Sequence, residues 1–301
     1  MYITDMHCDS LLTVNHENGM ISEYNTSKKH PFLQFFAAFT PAKNNTMQAR
    51  RKSVMRCLDI YAYECERLSL IKIEDVRSLC YATDNNLPSA MFTLEGGGGL
   101  LSDSDELFTL YKGGLRIMGL AWDSNELADG AWDEADKGLT EEGKKMAKRC
   151  AELGITVDVS HLSDKSFYDL LEVYPMPIIA THSNYRDICP SKRNLTLDMA
   201  KHIISRGGVI GLNLYPEFVK EGNAKIEDIL PHIDYHLEHF GDFGLGLGFD
   251  IDGTDGKYPI GINPNASIHD QAIELLLKHY PESTVRKIAG ENTLDFLKGV
   301  L

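Results

Sequence analysis

The chain has 301 residues, of which 43% are hydrophobic and 25% charged, as in an ordinary globular protein with a substantial core. Its formal net charge of −14 argues against nucleic acid or an anionic membrane surface as the main partner, because both attract a basic face. No stretch approaches the roughly 18 apolar residues of a membrane span, and the opening MYITDMHCDS lacks the basic and apolar regions of a signal peptide.

The cysteines form no CxxC pair, so neither a disulfide framework nor a zinc ribbon is indicated. They are Cys8, Cys57, Cys65, Cys80, Cys150 and Cys189. We therefore expect a reducing, cytoplasmic compartment.

Along the chain, short β-rich apolar runs alternate with longer helical patterns, and no repeat or linker divides them. Two of the helices have clear boundary signals. Thr140 begins a helix with acidic residues in its first turn, which ends at Gly154. Thr196 begins another, which stops at the glycine pair 207–208. The predicted strands cover residues 2–7, 32–39, 90–95, 115–121, 155–160, 177–181, 209–214 and 244–250.

Eight strands alternating with helices predict a (β/α)8 barrel, an α/β fold of the TIM-barrel type, as a single domain over residues 1–301. The main rival is a doubly wound open sheet, whose first strand leads into a GxGxxG turn. No such turn follows the first strand here, and GGGGL at 96–100 lies in mid-chain without the required spacing. The pattern therefore favours the barrel.

Ionisable residues end five of the predicted strands, where a barrel of this kind carries its chemistry. His7 and Asp9 alternate at the end of the first strand, which places both side chains on one face of an extended backbone. Histidines and carboxylates are ligands that Zn²⁺ prefers, and a cation would relieve the repulsion among clustered carboxylates. The set therefore predicts a metal site. Its other members are Glu95, His161, His182 and Asp250.

Taken singly, each of these residues has a more common structural explanation, such as a hydrogen-bonded histidine at the barrel rim. A second histidine-rich stretch, PHIDYHLEHFG, carries His232, His236 and His239 at helical spacing, but it lacks the glutamate beside the first histidine that zinc-protease helices require. We expect this stretch to form a partly buried helix face. Cys8 lies between two predicted ligands, but alternation turns it away from them as a small apolar filler.

Short motifs follow one another along nearly the whole chain: DMHCDS at 5–10, TLEGG at 93–97, LAWDSNELADG at 120–130, DVSHLS at 158–163, IATHSN at 179–184, KRNLT at 192–196, GFDIDG at 248–253 and IAGENTLDFL at 288–297. In this order they resemble the membrane dipeptidase family of renal dipeptidase-like zinc peptidases, within the amidohydrolase-type barrels. Each motif alone is weak, but the ordered set is specific.

The resemblance implies a metal-dependent hydrolase of small dipeptides with two zinc ions per chain. It implies that His7 and Asp9 hold the first ion and that His161 and His182 hold the second. Glu95 would bridge both ions, which would share the hydroxide that attacks the peptide bond.

Further roles carry over by position in the same motifs. Asp250 would take the proton from the attacking water and return it to the departing amine. Arg193 resembles the residue that grips the C-terminal carboxylate of the substrate with its planar fork. Outside these motifs, Tyr215 ends the seventh predicted strand and would line the same pocket or pack beside it. Asp5 would orient backbone or ligands rather than bind metal.

Trp122 departs from the family pattern, because better-known members carry a histidine at this place in the LAWDSN stretch. That histidine steadies the oxyanion of the tetrahedral intermediate. Tryptophan offers one N–H and cannot become cationic, so the missing donor would cost roughly 3–4 kcal/mol if nothing replaces it. The sequence therefore does not identify which dipeptides the protein prefers.

The leading hypothesis is a zinc-dependent dipeptidase. One alternative is another metal-dependent amidohydrolase or a phosphoesterase on the same barrel, although phosphoesterases with this opening require histidine at Asp9. A second alternative is a binding homologue with weakened chemistry, to which Trp122 points. The family often dimerises, so a homodimer is a further expectation.

Overall fold

A computed structural model of the protein describes residues 1–13, 29–39, 45–133, 136–254 and 256–301. The β-strands within these residues are all paired in parallel. They are β1 (Ile3–Asp5), β2 (Phe32–Phe39), β3 (Ile71–Lys72), β4 (Ser89–Glu95), β5 (Ile117–Gly119), β6 (Thr156–Asp158), β7 (Ile178–Ile179), β8 (Ile210–Leu212) and β9 (Leu245–Leu247).

Eight of these strands form a nearly closed barrel. Their order in the sheet is β7-β6-β5-β4-β2-β1-β9-β8. The two ends of this row meet at a parallel bridge between Ala180, just after β7, and Ile210 in β8. The remaining strand, β3, pairs with β4 outside the row. The predicted TIM-type barrel is therefore confirmed.

Every predicted strand occurs, but most are shorter than the apolar run that indicated them. The run 115–121 yields only Ile117–Gly119, for example. The residues beyond each short strand leave the sheet and enter the loops at the barrel mouth. The sequence did not indicate β3, because two residues are too few for an alternating pattern.

Helices follow most of the barrel strands and cover the outside of the sheet. Within the described residues they are α1 (Ser10–Thr13), α2 (Met47–Arg67), α3 (Val76–Asp84), α4 (Asp105–Lys112), α5 (Glu141–Leu153), α6 (Asp164–Val173), α7 (Leu197–Ser205), α8 (Pro216–Val219), α9 (Leu230–Phe240), α10 (Ile268–His279), α11 (Glu282–Arg286) and α12 (Asn292–Val300). None of them is both long and apolar enough to cross a membrane.

The helix boundaries that the sequence predicted are confirmed by their caps. The Thr140 hydroxyl accepts a hydrogen bond from the Gly143 N–H at the start of α5, and Gly154 ends that helix in the left-handed conformation. The Thr196 side chain accepts from the Met199 N–H in the same way, and α7 ends just before the predicted glycine pair.

Met6 fills the inside of the barrel next to a glycine of β8 and a glycine of β9. Its side chain is fully buried, and a Cβ atom at either Gly211 or Gly246 would lie 2.8 Å from the Met6 Cε. Larger residues at these two positions would displace it. The barrel is therefore packed at this layer, and the strand ends lie above it.

Candidate metal centre

The six residues predicted from the strand ends lie together at the mouth of the barrel. Each follows or ends a different parallel strand, except that His7 and Asp9 share the segment after β1. Because the carboxyl ends of parallel strands meet at one rim, their side chains converge there. They are His7, Asp9, Glu95, His161, His182 and Asp250.

Glu95 stands between three imidazoles. Its Oε1 lies 2.6 Å from His161 Nε2 and 3.2 Å from His182 Nε2. Its Oε2 lies 3.4 Å from His7 Nε2. One carboxylate thus faces two groups of ligand atoms, one on each oxygen, which is the geometry required of a bridging ligand.

The second group of ligand atoms surrounds His7. Its Nε2 lies 3.7 Å from Asp9 Oδ1 and 3.9 Å from Asp250 Oδ1. Potential ligand atoms within 4.8 Å of one another occur in two sets, His7 with Glu95 and His182, and His7 with Asp9 and Asp250. His7 belongs to both sets, so the two sites would be adjacent.

Unsatisfied buried atoms indicate that a cation fits this cluster. Among the described residues, His7 Nε2, Asp9 Oδ1 and Asp250 Oδ1 are buried without a hydrogen-bond partner. Buried polar atoms are costly unless they are paired or bind a metal. Nitrogen and carboxylate oxygen donors at this spacing suit a divalent ion such as zinc.

A hydrogen-bond chain fixes the tautomer of His182. The Thr181 hydroxyl donates to Asp158 Oδ2 at 2.5 Å, so its oxygen accepts from His182 Nδ1 at 2.8 Å. With its proton on Nδ1, His182 presents the lone pair of Nε2 to the mouth, as a metal ligand must. The same Asp158 also accepts from the backbone N–H groups of Ser160 and Thr181.

Two further carboxylates hold together the segments that follow the strands. Asp5 Oδ1 accepts from the backbone N–H groups of His7 and Phe249, and its Oδ2 accepts from His269 Nε2 at 2.6 Å. Asp5 thereby connects the segments after β1 and β9. Asp252 accepts from the Asp9 N–H at 2.7 Å and from the Ser10 hydroxyl.

The sequence had indicated Asp5 but none of Asp158, Thr181, Asp252 and His269. Three of them lie within the motifs DVSH, ATHS and FDID, one to three residues from a predicted site residue. Their proximity to a predicted site residue is the sequence feature that could have indicated them. His269 lies far from any motif in the chain and gave none.

Asp250 adopts a strained backbone conformation and a perturbed ionisation. Its φ of 56° lies in the left-handed region, which is costly for a residue with a Cβ and typical of functional sites. Asn213 donates to its Oδ2 at 3.3 Å. Burial, together with the charges of Asp9 and Glu95, raises the pKa of Asp250 well above its usual range. A buried carboxyl with its pKa raised in this way, at the mouth of a cavity, is a candidate for proton transfer.

Burial also perturbs the neighbouring ligands. It raises the pKa of Asp9 to about 6, with a contribution from the Glu95 charge. It lowers the pKa of His161 to about 4, with the positive charge of Arg193 acting in the same direction. The imidazole of His161 is therefore neutral at pH 7, the state in which histidine binds metals.

Arg193 lies beneath the rim rather than in the open cavity. It is only 2% exposed, and its guanidinium donates to Ser183 Oγ and to the His182 carbonyl, both at 2.8 Å. Its Nε has no hydrogen-bond partner among the described residues. The guanidinium carbon lies 5.6 Å from the centre of the Phe218 ring, which lines the cavity.

The cavity above the ligands has a volume of about 730 Å³. Trp122 and Tyr215, both predicted from sequence, line it together with Asp9, Glu95, His161 and Asp250. Trp122 contacts Phe39 edge-on at 4.8 Å between ring centres and lies 6.0 Å from the His161 ring. The backbone N–H of Tyr215 donates to the Asn213 side chain, so the segment after β8 supports both Tyr215 and Asp250.

Comparison with known proteins identifies a family. The family model described as membrane dipeptidase (peptidase family M19) matches residues 1–300. An uncharacterized protein in the pqqA 5′ region of Klebsiella pneumoniae is 30% identical over 219 residues, which are 69% of this chain and 80% of that protein.

Two solved structures share the whole fold. A metallo peptidase from Rhodobacter sphaeroides, liganded with a phosphinate mimic of the dipeptide L-Ala-D-Ala, has a TM-score of 0.88 and 23% identity, covering 100% of this chain and 99% of that one. The dipeptidase AC, a metallo peptidase of family M19, has a TM-score of 0.87 and 24% identity, with coverages of 100% and 98%.

Proposed function

The chain belongs to the membrane dipeptidase family, peptidase family M19, and is a metal-dependent peptide-bond hydrolase; we propose that it is a dipeptidase that uses two zinc ions. The observation that carries the proposal is the position of Glu95, whose two oxygens face two adjacent groups of buried ligand atoms. The phosphinate dipeptide mimic bound by the Rhodobacter sphaeroides protein supports a dipeptide substrate.

Five side chains would hold the two ions. His7 and Asp9 would bind the first, and His161 and His182 the second. Glu95 would contribute one oxygen to each. Zinc in such a site lowers the pKa of water and polarises the carbonyl of the scissile bond.

Asp250 moves the proton in this proposal. Asn213 holds its Oδ2, and its Oδ1 lies 3.9 Å from His7 Nε2 at the cavity floor. From there Oδ1 takes a proton from the water that adds to the carbonyl carbon. When the carbon–nitrogen bond breaks, the same oxygen returns that proton to the departing amine, so the carboxylate is regenerated.

Arg193 binds the C-terminal carboxylate of the dipeptide in the proposal. Its unpartnered Nε and its contact with the cavity residue Phe218 support this role. Its other two nitrogens hold the segment that carries His182, so Arg193 also joins substrate recognition to the second group of ligands.

The test is the Asp250→Asn variant, in which the proton acceptor is lost while the proposed zinc ligands remain. We expect metal analysis to find two zinc ions per chain and dipeptide turnover to fall by at least about 10²-fold, the usual range for a proton-transfer residue. The matched comparison is Glu95→Gln, which should lose metal as well as activity. Near-normal turnover by Asp250→Asn would refute the assignment.

A dipeptide panel assayed beside p-nitrophenyl phosphate and cyclic amides, with and without added zinc, separates this function from its alternatives. Cleavage of the phosphate ester or a cyclic amide alone would identify another metal-dependent hydrolase. Tight zinc and dipeptide binding without turnover would identify a binding homologue. The cytoplasmic location and the homodimer stay predictions.

A further inference from the structure

Trp132 is an exposed aromatic residue at the cavity, and the proposed mechanism gives it no role. It is 49% exposed and lines the cavity above the proposed zinc ligands. Within the described residues, the apolar side chains that line this cavity are all aromatic: Phe39, Trp122, Trp132, Tyr215 and Phe218. Aromatic rings that line a cavity bury a large area when an apolar group of a ligand packs on them. The cavity therefore offers apolar surface as well as metal ligands.

Three of these rings contact one another, and we call Trp132, Tyr215 and Phe218 the Phe218 cluster. The centre of the Phe218 ring lies 5.7 Å from that of Trp132 and 4.8 Å from that of Tyr215. Phe218 is only 7% exposed, in contrast to Trp132. The cluster therefore has a buried centre, and its most exposed ring is the indole of Trp132.

Arg193 lies beside the Phe218 cluster, and hydrogen bonds hold the two together. The guanidinium carbon is 5.6 Å from the centre of the Phe218 ring. The side-chain amide of Asn194, the next residue in the chain, donates to the Phe218 carbonyl at 2.9 Å, and the Asn184 amide donates to the same oxygen at 3.1 Å. A substrate carboxylate that binds to Arg193 therefore lies next to this cluster.

Trp132 connects the Phe218 cluster to the candidate metal centre. The Ala131 N–H donates to the carbonyl of His161 at 2.8 Å, and Gly130 pairs with Leu162 in an isolated antiparallel bridge. The backbone at Trp132 is therefore held against the segment that carries His161. The cluster thus extends from Arg193 to one of the proposed metal ligands, which are the two places where a bound dipeptide would be held.

We propose that the Phe218 cluster binds the side chain of the C-terminal residue of the dipeptide, and that the protein prefers a large apolar residue there, such as phenylalanine or leucine. The inference rests on the proposed dipeptidase function and on carboxylate binding by Arg193. The carboxylate at Arg193 and the scissile carbonyl at the metal ligands hold the two ends of the C-terminal residue. Its side chain then reaches the cluster and removes apolar surface of Trp132 from water.

The experiment compares alanyl-phenylalanine, phenylalanyl-alanine and alanyl-alanine on the zinc-loaded protein, each made with an L- and with a D-residue at the C-terminus. The configuration at which alanyl-phenylalanine is cleaved faster is used for all three dipeptides. We expect kcat/KM for alanyl-phenylalanine to exceed that for alanyl-alanine by about tenfold, because a phenylalanine side chain buries far more apolar surface than a methyl group. Phenylalanyl-alanine has the same composition with the ring at the other position.

Variants of Trp132 locate the effect. Trp132→Ala should lower kcat/KM for alanyl-phenylalanine by about fivefold more than for phenylalanyl-alanine, because only the C-terminal ring packs on the indole. Trp132→Phe keeps an aromatic ring and should retain most of the preference. Tyr81→Ala is the matched control, since Tyr81 is 57% exposed and does not line the cavity. It should leave the ratios of the three substrates as in the wild type.

Three results would count against the proposal in different ways. Equal or faster cleavage of alanyl-alanine would overturn the apolar preference and leave the dipeptidase function standing. If Trp132→Ala changes kcat/KM equally for alanyl-phenylalanine and phenylalanyl-alanine, or changes neither, the cluster does not bind the C-terminal side chain. Failure to cleave any of the dipeptides would overturn the proposed function and the preference with it.

Discussion

Glu95 reaches both groups of ligands because of its place in the barrel. In the order of the strands, β4 lies two strands from β6 on one side and two strands from β1 on the other. Its last residue therefore stands midway between His161 and His7. A bridging carboxylate needs this central position, since a residue on β5 or β2 would lie nearer to one group than to the other.

Thr181 is the residue whose hydroxyl decides which nitrogen of His182 carries the proton. In Thr181→Val the donor to Asp158 and the acceptor for His182 Nδ1 both disappear. We expect zinc affinity to fall by about 10- to 100-fold, the usual effect of losing a residue that orients a metal ligand. Competition with a chromophoric chelator measures it directly. Thr181→Ser keeps the hydroxyl and should bind zinc almost as the wild type does; equal losses in both variants would contradict the role.

Arg193→Met tests carboxylate recognition. Removing a charged hydrogen-bond donor of this kind costs about 1.5–3 kcal/mol, so KM for a free dipeptide should rise roughly 10- to 100-fold. A C-terminally amidated analogue lacks the carboxylate, and its kinetics should change little. Zinc content is measured in parallel, because Arg193 also donates to the His182 carbonyl. If KM rises equally for the free and the amidated substrate, Arg193 does not bind the substrate carboxylate.

At the scale of elements, the histidine-rich helix α9 supports the candidate metal centre through its contacts with Tyr185. His232 Nδ1 accepts from the Tyr185 N–H, and His236 Nδ1 pairs with the Tyr185 hydroxyl. Their Nε2 atoms lie at hydrogen-bond distance from the carbonyls of Val219 and Phe243. Since Tyr185 follows His182 by three residues, α9 helps to fix the segment that carries this ligand.

The ionisation of these two histidines makes the stability of the fold depend on pH. Burial lowers the pKa of His232 and of His236 to about 4, whereas an unfolded chain has a value near 6.5. The unfolded state therefore binds more protons below pH 6.5. Each histidine contributes up to roughly 3 kcal/mol that is present above that pH and is lost as the pH falls toward 4.

Chemical denaturation between pH 7 and pH 4 tests this linkage. His232→Gln should flatten the dependence of the unfolding free energy on pH, because no proton is taken up at that site on unfolding. His239→Gln provides the control on the same helix, since His239 is exposed. If both variants reduce the pH dependence of the unfolding free energy by the same amount, burial of His232 is not the source of that dependence.

The strands and the rim residues could be predicted from sequence because each is a local pattern. An apolar run followed by a histidine or carboxylate indicates a strand end, and the barrel brings the ends together. The supporting contacts are different in kind. Asp252 meets Asp9 across 243 residues of chain, and the burial of Arg193 depends on how the segments after β7 and β8 pack, so neither follows from local spacing.

At the scale of the whole molecule, the metal centre connects segments from around the barrel. Its side chains come from the ends of β1, β4, β6, β7 and β9, while the barrel is joined between β7 and β8 by an isolated bridge at Ala180 and Ile210. Clustered carboxylates at this mouth repel one another when no cation offsets their charge. Metal binding should therefore stabilise the entire domain as well as supply its chemistry.

Removing the metal with a chelator should lower the melting temperature of the wild-type protein. A ligand at 1,000 times its dissociation constant stabilises the folded state by about 4 kcal/mol, which for a chain of this size corresponds to a shift on the order of 5–10 °C. Scanning calorimetry before chelation, after it, and again after zinc is restored measures how much of the shift in melting temperature is reversible. Glu95→Gln removes the proposed bridging carboxylate, so chelation should shift its melting temperature far less. If the wild-type protein is shown to lose two zinc ions and its melting temperature does not change, the prediction is wrong. The fold alone would then hold the ligands in place, with no stabilisation from the ions.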